Sequence, residues 1–426
     1  MAEKFIIDGG NLLEGEIEVR GSKNAAGAIL AATLLTSEEC LIDNLPRISD
    51  IFNFLEILKG MGAEVEWISE RKIRIKSGEK LDPEKMDFEK VSKARISVLL
   101  IGALLPRFKE FKISRPGGDR IGLRPISTHL KALEQLGAEI KEDGDFYYFN
   151  SAGLCGKEIV LQEFSVTATE NLMMTAALSK GDTIIKGAAC EPHVQDLAKM
   201  LNSMGGNIEG IGTHTLRVQG GGVKKLRGTA HRIIPDYLEA GTFIIMGAAV
   251  SKKIKVNNIV SEHLDLFLAK LKEIGVEFRR GTDDSIEVWG KGDLKPARVQ
   301  ALPHPGFPTD LLPIIVPLLT QAKGKSLIHD PLYPNRFSYV DELRKMGADI
   351  EIVDPHRAFV FGKTPLKGFR IESLDIRAGM SLIVAGLMAQ GKTIIENIGQ
   401  IDRGYEKIEE RLQKLGANIK RIKSEA

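Results

Sequence analysis

Six copies of one short phrase constrain this chain more than anything else in it. The phrase is Leu, two variable residues, an apolar residue, Gly, a residue that is usually small, a polar residue and an apolar one. It runs LKGMGAEV from Leu58, LEQLGAEI from Leu133, LNSMGGNI from Leu201, LKEIGVEF from Leu271, LRKMGADI from Leu343 and LQKLGANI from Leu412. The shared glycines are Gly62, Gly137, Gly205, Gly275, Gly347 and Gly416, spaced 68–75 residues apart. Self-similarity at a steady period means one supersecondary unit used repeatedly.

The phrase has a physical reading. Glycine enters the left-handed backbone region without Cβ strain and so ends a helix. The residues after it alternate polar and apolar, as in AEVEW from Ala63 and ADIEI from Ala348, which is strand patterning. Upstream in each unit lies a second helix, apolar and often Ala-rich, starting near Asn24, Arg95, Thr169, Glu239, Asp310 and Arg377. A β-branched strand follows it, as in TIIKGA from Thr183, KIKVNN from Lys253 and TIIENI from Thr393. A helix that is apolar nearly all round belongs inside a core. Each unit is therefore expected to be an α/β (α+β) subdomain of two helices and several short strands.

At 426 residues the chain exceeds one ordinary core, and two domains are expected. Six units divide into two domains of three, with the apolar helices inside and the sheets outside. The break is expected near GTAHRIIPD at 228–236, giving a first domain of 22–231 and a second of 1–21 plus 232–426. The N-terminal stretch EKFIIDGG…LEGEIEVRG is expected to pair with the second domain, so that the chain crosses between domains twice. Clefts between domains commonly hold ligands.

Net charge is +2, from 59 basic and 57 acidic side chains, so nothing favours nucleic acid or a membrane surface as partner. The longest apolar run, Ile96 to Pro106, is too short to span a bilayer. Cys40, Cys155 and Cys190 stand far apart without CxxC spacing, and the eight histidines show no HxH or HxxxH spacing. That pattern offers no metal site and suits a reducing compartment. The start, MAEKFIIDGG, has no apolar signal region, so a cytoplasmic location is expected.

Any anion site must be local, and the charges at helix starts mark where. Lys23 and Asn24 precede the first apolar helix, Arg95 opens the second, Asp310 in FPTD opens the fifth, and Asp375 and Arg377 open the sixth. In the other connection of the units sit Asp119 with Arg124, Asn335 with Arg336, and Asp402 with Arg403. A helix N-terminus already favours anions, so a cation placed there needs a counter-charge. Planar guanidinium groups grip carboxylate and phosphate bidentately. A substrate with several phosphates or carboxylates accounts for Lys23, Arg95, Arg124, Arg336, Arg377 and Arg403 together, while Asp119, Asp310 and Asp375 are candidates for proton transfer. Each residue also has a plainer reading. Asp310 can cap a helix, Asp375/Arg377 and Asp402/Arg403 can be surface or capping pairs, and His304 between two prolines can be structural.

Seven motifs, in order along the whole chain, carry a resemblance. They are GSKNAA at 21–26, RPGGDRIGLRP at 115–125, ATEN at 168–171, PHPGFPTD at 303–310, NRF at 335–337, LDIRAG at 374–379 and IDRGYE at 401–406. They resemble the UDP-N-acetylglucosamine 1-carboxyvinyltransferase family of enolpyruvyl transferases. The resemblance implies a two-domain inside-out α/β barrel of six βαβαββ-like units, three per domain. It implies transfer of the enolpyruvyl group of phosphoenolpyruvate to the 3′-hydroxyl of UDP-N-acetylglucosamine. Phosphate leaves through a tetrahedral ketal, at the first committed step of peptidoglycan synthesis. It implies no metal and no organic cofactor. The partners are the two small-molecule substrates, and a monomer or weak homo-oligomer is expected.

By resemblance, Lys23, Arg124 and Arg403 clamp the phosphate and carboxylate of phosphoenolpyruvate. Asn24, Arg95, Ser165, Val166, Thr167, Asp310 and Arg336 hold the nucleotide sugar, with His129 near the uracil end. Pro125, Ile126 and Leu332 join the substrate-binding set. Asp310 takes the sugar hydroxyl proton, with Lys23, Arg403 and Asp119 beside it in the catalytic set, and Asp375 and Arg377 stabilise the closed site.

Two departures from the family pattern stand out. Many members carry cysteine at the position of Asp119, in a PGG(C/D)xIGxRP loop, and members with Asp there stay active and resist fosfomycin, which alkylates that thiol. A carboxylate is the poorer nucleophile, yet it can donate a proton where burial raises its pKa. Asp119 is therefore expected to protonate C3 of phosphoenolpyruvate or to assist product release. Ser127 stands where an acid often contacts uracil, and Glu163 where a basic residue is common. Two alternatives stay open. One is the shikimate-type sister enzyme, whose lysine motif usually continues with Ser where this chain has Asn24, and which lacks the PGG loop. The other is a catalytically silent relative that only binds the UDP-sugar.

Overall fold

In the computed structural model the six repeat glycines share one backbone conformation. Their φ angles are 101° at Gly62, 108° at Gly137, 98° at Gly205, 93° at Gly275, 97° at Gly347 and 92° at Gly416. A Cβ is strained in that region, which is why the repeated phrase holds glycine there. The structure describes residues 3–423 apart from 79, 118–124, 152, 222–225, 291 and 335.

Two repeats show the unit whole. Strand Glu158–Val160 leads through the helix Val166–Ala177 to the parallel strand Lys180–Lys186. The helix Pro192–Ser203 leads on to Asn207–Glu209 and Thr215–Gly221, and the last strand inserts antiparallel beside Lys180–Lys186. The order is βαβαββ. Arg298–Gln300, Gly324–His329, Asp349–Asp354 and Arg357–Gly362 repeat it around the helices Leu312–Leu319 and Tyr339–Lys345.

Three other repeats borrow a strand from elsewhere in the chain. Glu3–Asp8 lies between Lys392–Glu396 and Asn418–Lys423, with Phe5 opposite both Ile395 and Arg421. Leu13–Glu18 runs parallel to Ser251–Asn257, and Ala230–Arg232 runs parallel to Glu39–Asp43. Among the described residues the remaining sheet has three strands, Glu110–Ser114, Phe146–Ser151 and Ala138–Asp143. The turn Pro83–Lys85 and the helix Phe88–Lys93 flank Glu110–Ser114, where a fourth strand stands in the other sheets. Ser114 Oγ donates to the Phe88 carbonyl at 2.9 Å, and Lys112 pairs with Glu84 at 3.2 Å.

The chain divides into two compact units. One is Gly21–Gly118 with Pro125–Ile234, and the other is Met1–Arg20 with Pro235–Ala426. Strand Ala230–Arg232 carries the first of these on to Ile234, past the expected break at 231, because its partner Glu39–Asp43 belongs to that unit. Each unit has its own apolar core. In one, Leu99–Leu104 packs on Lys23–Ala32 and Val166–Ala177; in the other, Tyr237–Val250, Leu312–Leu319 and Ile376–Met388 pack on one another. Each Leu or Ile buried there contributes roughly 1.5–3 kcal/mol relative to exposure. Three helices within and three sheets without make each unit an inside-out α/β barrel. No helix among the described residues is long and apolar enough to cross a membrane.

Candidate active site

Asp310 lies in the short turn Thr309–Leu311, ahead of the helix Leu312–Leu319. It does not cap that helix, whose cap position is Leu311; its two oxygens face arginines instead. Oδ1 accepts from Arg336 Nη2 at 2.5 Å, and Oδ2 accepts from Arg377 Nε at 3.0 Å. The arginine side chains are 5% and 8% exposed and that of Asp310 28%, so the clamp is mostly shielded from water but open on one side. Burial alone would raise the carboxyl pKa. The two guanidinium charges outweigh burial and hold it well below the usual carboxylate range. Asp310 is therefore ionised at neutral pH. Each carboxylate oxygen has a further lone pair, so the clamp leaves room to accept a hydroxyl.

Each arginine is fixed by further groups. Arg336 Nη1 donates to Thr309 Oγ1 at 2.7 Å, and Thr309 Oγ1 donates to Asp330 Oδ2 at 2.6 Å. Asp330 Oδ1 accepts the backbone N–H groups of Leu332 and Tyr333 at 3.0 and 3.2 Å. One buried acid thus orients Arg336 and the loop that presents the exposed Leu332 side chain. Arg377 Nη1 donates to Tyr405 Oη at 2.8 Å. Asp375 caps the helix Ile376–Met388, its Oδ1 accepting the N–H groups of Arg377 and Ala378 at 2.8 and 2.9 Å. Arg403 Nη1 donates to Gln400 Oε1 at 3.0 Å, two residues before Tyr405 in the chain. Its sequence neighbour Asp402 turns elsewhere and takes two bonds from Arg421, at 2.9 and 2.7 Å.

In the other unit, Lys23 is the first residue of the helix Lys23–Ala32 rather than a residue before it. Ser22 is the cap, its Oγ accepting the Ala25 N–H at 3.3 Å. The Lys23 ammonium pairs with Asp50 at 2.8 Å, and half-buried Asn24 follows in the first turn. Arg95 opens the turn Arg95–Val98, and its Nη2 reaches the Pro125 carbonyl at 3.5 Å. Ile126 is buried, and exposed Ser127 starts the helix Ser127–Gln135. His129 Nε2 meets Thr167 Oγ1 at 2.7 Å. Burial, with the Arg95 charge beside it, pushes the His129 imidazole down to about 3, so it is neutral at pH 7. Thr167 lies in the first turn of the helix Val166–Ala177, which Ser165 caps through the Ala168 N–H at 3.4 Å. Glu163 accepts from Thr128 Oγ1 at 2.9 Å, which gives an acid at this position a local partner.

The structure therefore gathers Asp310, Arg336, Arg377 and Asp375 in one unit, and Arg95, Pro125, His129 and Thr167 in the other. The cations Lys23, Arg336 and Arg377 do have counter-charges, supplied by Asp50 and Asp310. Asp119, Arg124 and Asn335 lie outside the described residues. Sequence reasoning missed Asp50, Asp330, Thr242 and Tyr405; only Tyr405 lay in a motif, IDRGYE. The ATEN motif has a packing role. Asn171 Oδ1 accepts the Gly102 N–H at 2.6 Å, and its Nδ2 donates to the Val98 carbonyl at 3.1 Å. A Cβ on Gly102 would lie 2.6 Å from the Asn171 Cα, so the two helices meet only at glycine.

Comparison with known proteins follows the same lines. The chain matches the family model described as EPSP synthase (3-phosphoshikimate 1-carboxyvinyltransferase) over residues 7–412. It is 45% identical to the UDP-N-acetylglucosamine 1-carboxyvinyltransferase of Koribacter versatilis, over 99% of this chain and 96% of that protein. It is 44% identical to UDP-N-acetylglucosamine 1-carboxyvinyltransferase 1 of Carboxydothermus hydrogenoformans, over 99% of both, and 43% identical to enzyme 2 of Bacillus subtilis, over 98% and 96%. Among solved structures, the enolpyruvyl transferase NikO from Streptomyces tendae superposes with a TM-score of 0.91 at 23% identity, over 100% of both chains. EPSP synthase from Acinetobacter baumannii superposes at 0.74 and 20%, over 99% and 100%. At those identities the solved structures speak to the fold alone.

Proposed function

The chain belongs to the EPSP synthase family of enolpyruvyl transferases, and from that membership we propose that it moves the enolpyruvyl group of phosphoenolpyruvate to the 3′-hydroxyl of UDP-N-acetylglucosamine, releasing phosphate. The family model bears the name of the shikimate-type sister. The curated relatives at 43–45% identity are named for the UDP-sugar reaction, whereas the solved EPSP synthase is 20% identical. Asn24 after Lys23 supports the same side. The name of those relatives implies a place in peptidoglycan synthesis.

The two-arginine clamp on Asp310 carries the site assignment. In this reading Asp310 accepts the 3′-hydroxyl proton as that oxygen bonds to C2 of phosphoenolpyruvate. C3 gains a proton, from Asp119, and the tetrahedral ketal forms. C3 then gives a proton back while the C2–O bond to phosphate breaks, leaving the enol ether and inorganic phosphate. Lys23, Arg124 and Arg403 grip phosphoenolpyruvate. Asn24, Arg95, Pro125, Ile126, His129, Ser165, Val166, Thr167 and Leu332 hold the nucleotide sugar. A substrate anion beside Arg336 and Arg377 shares their charge with Asp310, so substrate binding itself strengthens the base.

The test is phosphate release. It is expected only with both phosphoenolpyruvate and UDP-N-acetylglucosamine, and not with shikimate 3-phosphate. Release with shikimate 3-phosphate instead moves the chain to the sister reaction, and release with neither acceptor overturns the activity. Because Asp119 replaces an alkylatable thiol, the enzyme is expected to keep its rate in fosfomycin, and Asp119→Cys to lose it progressively. Inactivation of the unaltered enzyme by fosfomycin contradicts that reading.

A further inference from the structure

We propose that Tyr405 is a positioning residue for this reaction: backed by Thr242, it fixes the guanidinium of Arg377 and hence one side of the clamp on Asp310. The proposal rests on the reading of Asp310 as the base. The hydrogen-bond chain has a single polarity. Thr242 Oγ1 donates its one hydrogen to the Leu238 carbonyl at 2.7 Å. The Tyr405 hydroxyl must then donate to Thr242 Oγ1 across the 2.8 Å between them. That leaves a Tyr405 lone pair for Arg377 Nη1 at 2.8 Å, and Arg377 Nε for Asp310 Oδ2 at 3.0 Å. Thr242, Tyr405 and Arg377 are 0%, 1% and 7% exposed, so water does not substitute for a lost link.

A buried phenol needs some partner, but nothing in packing alone requires it to face an arginine of the catalytic cluster. Asp236, the cap of the helix Tyr237–Val250, also attracts Arg377. With that second acid acting on the guanidinium, the bonds from its Nε to Asp310 and from its Nη1 to the Tyr405 hydroxyl define its placement in the clamp. Among the described residues, the charged and titratable groups around the clamp include Arg336 and Arg377 on Asp310, Asp330, Tyr333 and Tyr339 on Arg336, Asp375 at the Arg377 backbone, and Asp236 and Glu239 on the Tyr405 side.

Tyr405→Phe keeps the ring, whose centroid lies 5.4 Å from the guanidinium carbon, and removes only the hydroxyl. Steady-state phosphate release is expected to show kcat lower by about tenfold, the size of one hydrogen bond to a charge, with KM for phosphoenolpyruvate within about twofold. A looser Arg377 lets the Asp310 pKa rise, so the acid limb of the kcat profile moves to higher pH. Thr242→Val should act in the same direction, and Thr242→Ser, which keeps the hydroxyl, should restore both readouts. A Tyr405→Phe enzyme with unaltered kcat and acid limb overturns the proposal, as does Thr242→Ser behaving like Thr242→Val. Should Tyr405→Phe fail to fold, the Thr242 pair decides. Asp310→Asn is measured alongside. If it keeps full activity the base assignment fails and the relay with it. If it is inactive while Tyr405→Phe is normal, only the relay fails.

Discussion

Arg377 Nε meets Asp310 Oδ2 at 3.0 Å across 67 residues of chain, while Arg336 holds the other oxygen. Replacing Asp310 with Asn sets an amide against two buried guanidinium groups. The variant is expected to lose kcat by about 100–10,000-fold, the usual worth of a positioned base. It should also lose about 3 kcal/mol of stability, because one partner of a buried ion pair is gone. Phosphate-release kinetics and urea unfolding of the same preparation check both. An Asp310→Asn enzyme within tenfold of the unaltered rate is incompatible with its role as base.

Asp402 and Arg403 are adjacent in sequence and bond to different partners, Arg421 and Gln400. Arg421 binds Asp402 twice, Glu3 at 2.8 Å and Glu409 at 2.5 and 3.2 Å, so one guanidinium joins the first strand, the last strand and two helices. The side chain is 23% exposed, which discounts its value from that of a fully buried network. Arg421→Gln is expected to cost about 2 kcal/mol and Asp402→Asn about 1 kcal/mol, each with kcat within about twofold. Arg403→Gln should do the reverse, raising KM for phosphoenolpyruvate with little change in the unfolding midpoint. Loss of activity in a fully folded Asp402→Asn enzyme would show that the pair acts together.

What was legible in the sequence follows the range of the interactions. The repeat glycines were readable because a positive φ is a local demand that few residues meet. The buried helices were readable because their composition excludes solvent on every side. Lys23, Arg377 and Asp310 stood out at helix starts, but Asp50 did not, nor did the pairing of Arg377 with Asp310, since a counter-charge can come from anywhere in the chain. Thr242 sits in YLEAGTFIIMGAAV and reads as one more core position; only the fold turns its hydroxyl toward Tyr405. The borrowing of Glu3–Asp8 by a sheet built from residues beyond 369 was foreseen only as a pairing with the far domain, because strand patterning states a face and not a neighbour.

His129 gives a pH prediction. Its imidazole lies near pKa 3 in the folded protein against an ordinary 6.5, through burial and the Arg95 charge. Between those values the unfolded chain binds a proton that the folded one does not. Stability therefore falls as pH drops from about 6.5 toward 3. His129→Gln removes this contribution, so its stability should decline less between about pH 7 and pH 4 than that of the unaltered protein. Urea midpoints across that range test it, and parallel curves for the two proteins would place the titration elsewhere.

The repeat glycines can be tested where space does not interfere. At Gly416, φ is +92° and an added Cβ meets nothing within 4 Å, so Gly416→Ala isolates backbone strain. The expected cost is about 1 kcal/mol. Gly416→Asn should cost less, because Asn tolerates the left-handed region, and Gly416→Val more. At Gly137 the same Ala substitution also brings Cβ to 2.9 Å from the Gly153 carbonyl oxygen, so Gly137→Ala should be the more destabilising of the two. Urea unfolding ranks the four variants. Equal stability for Gly416→Ala and the unaltered chain would mean that the repeated glycine is not held by its conformation, and an order with Val above Asn would mean the same.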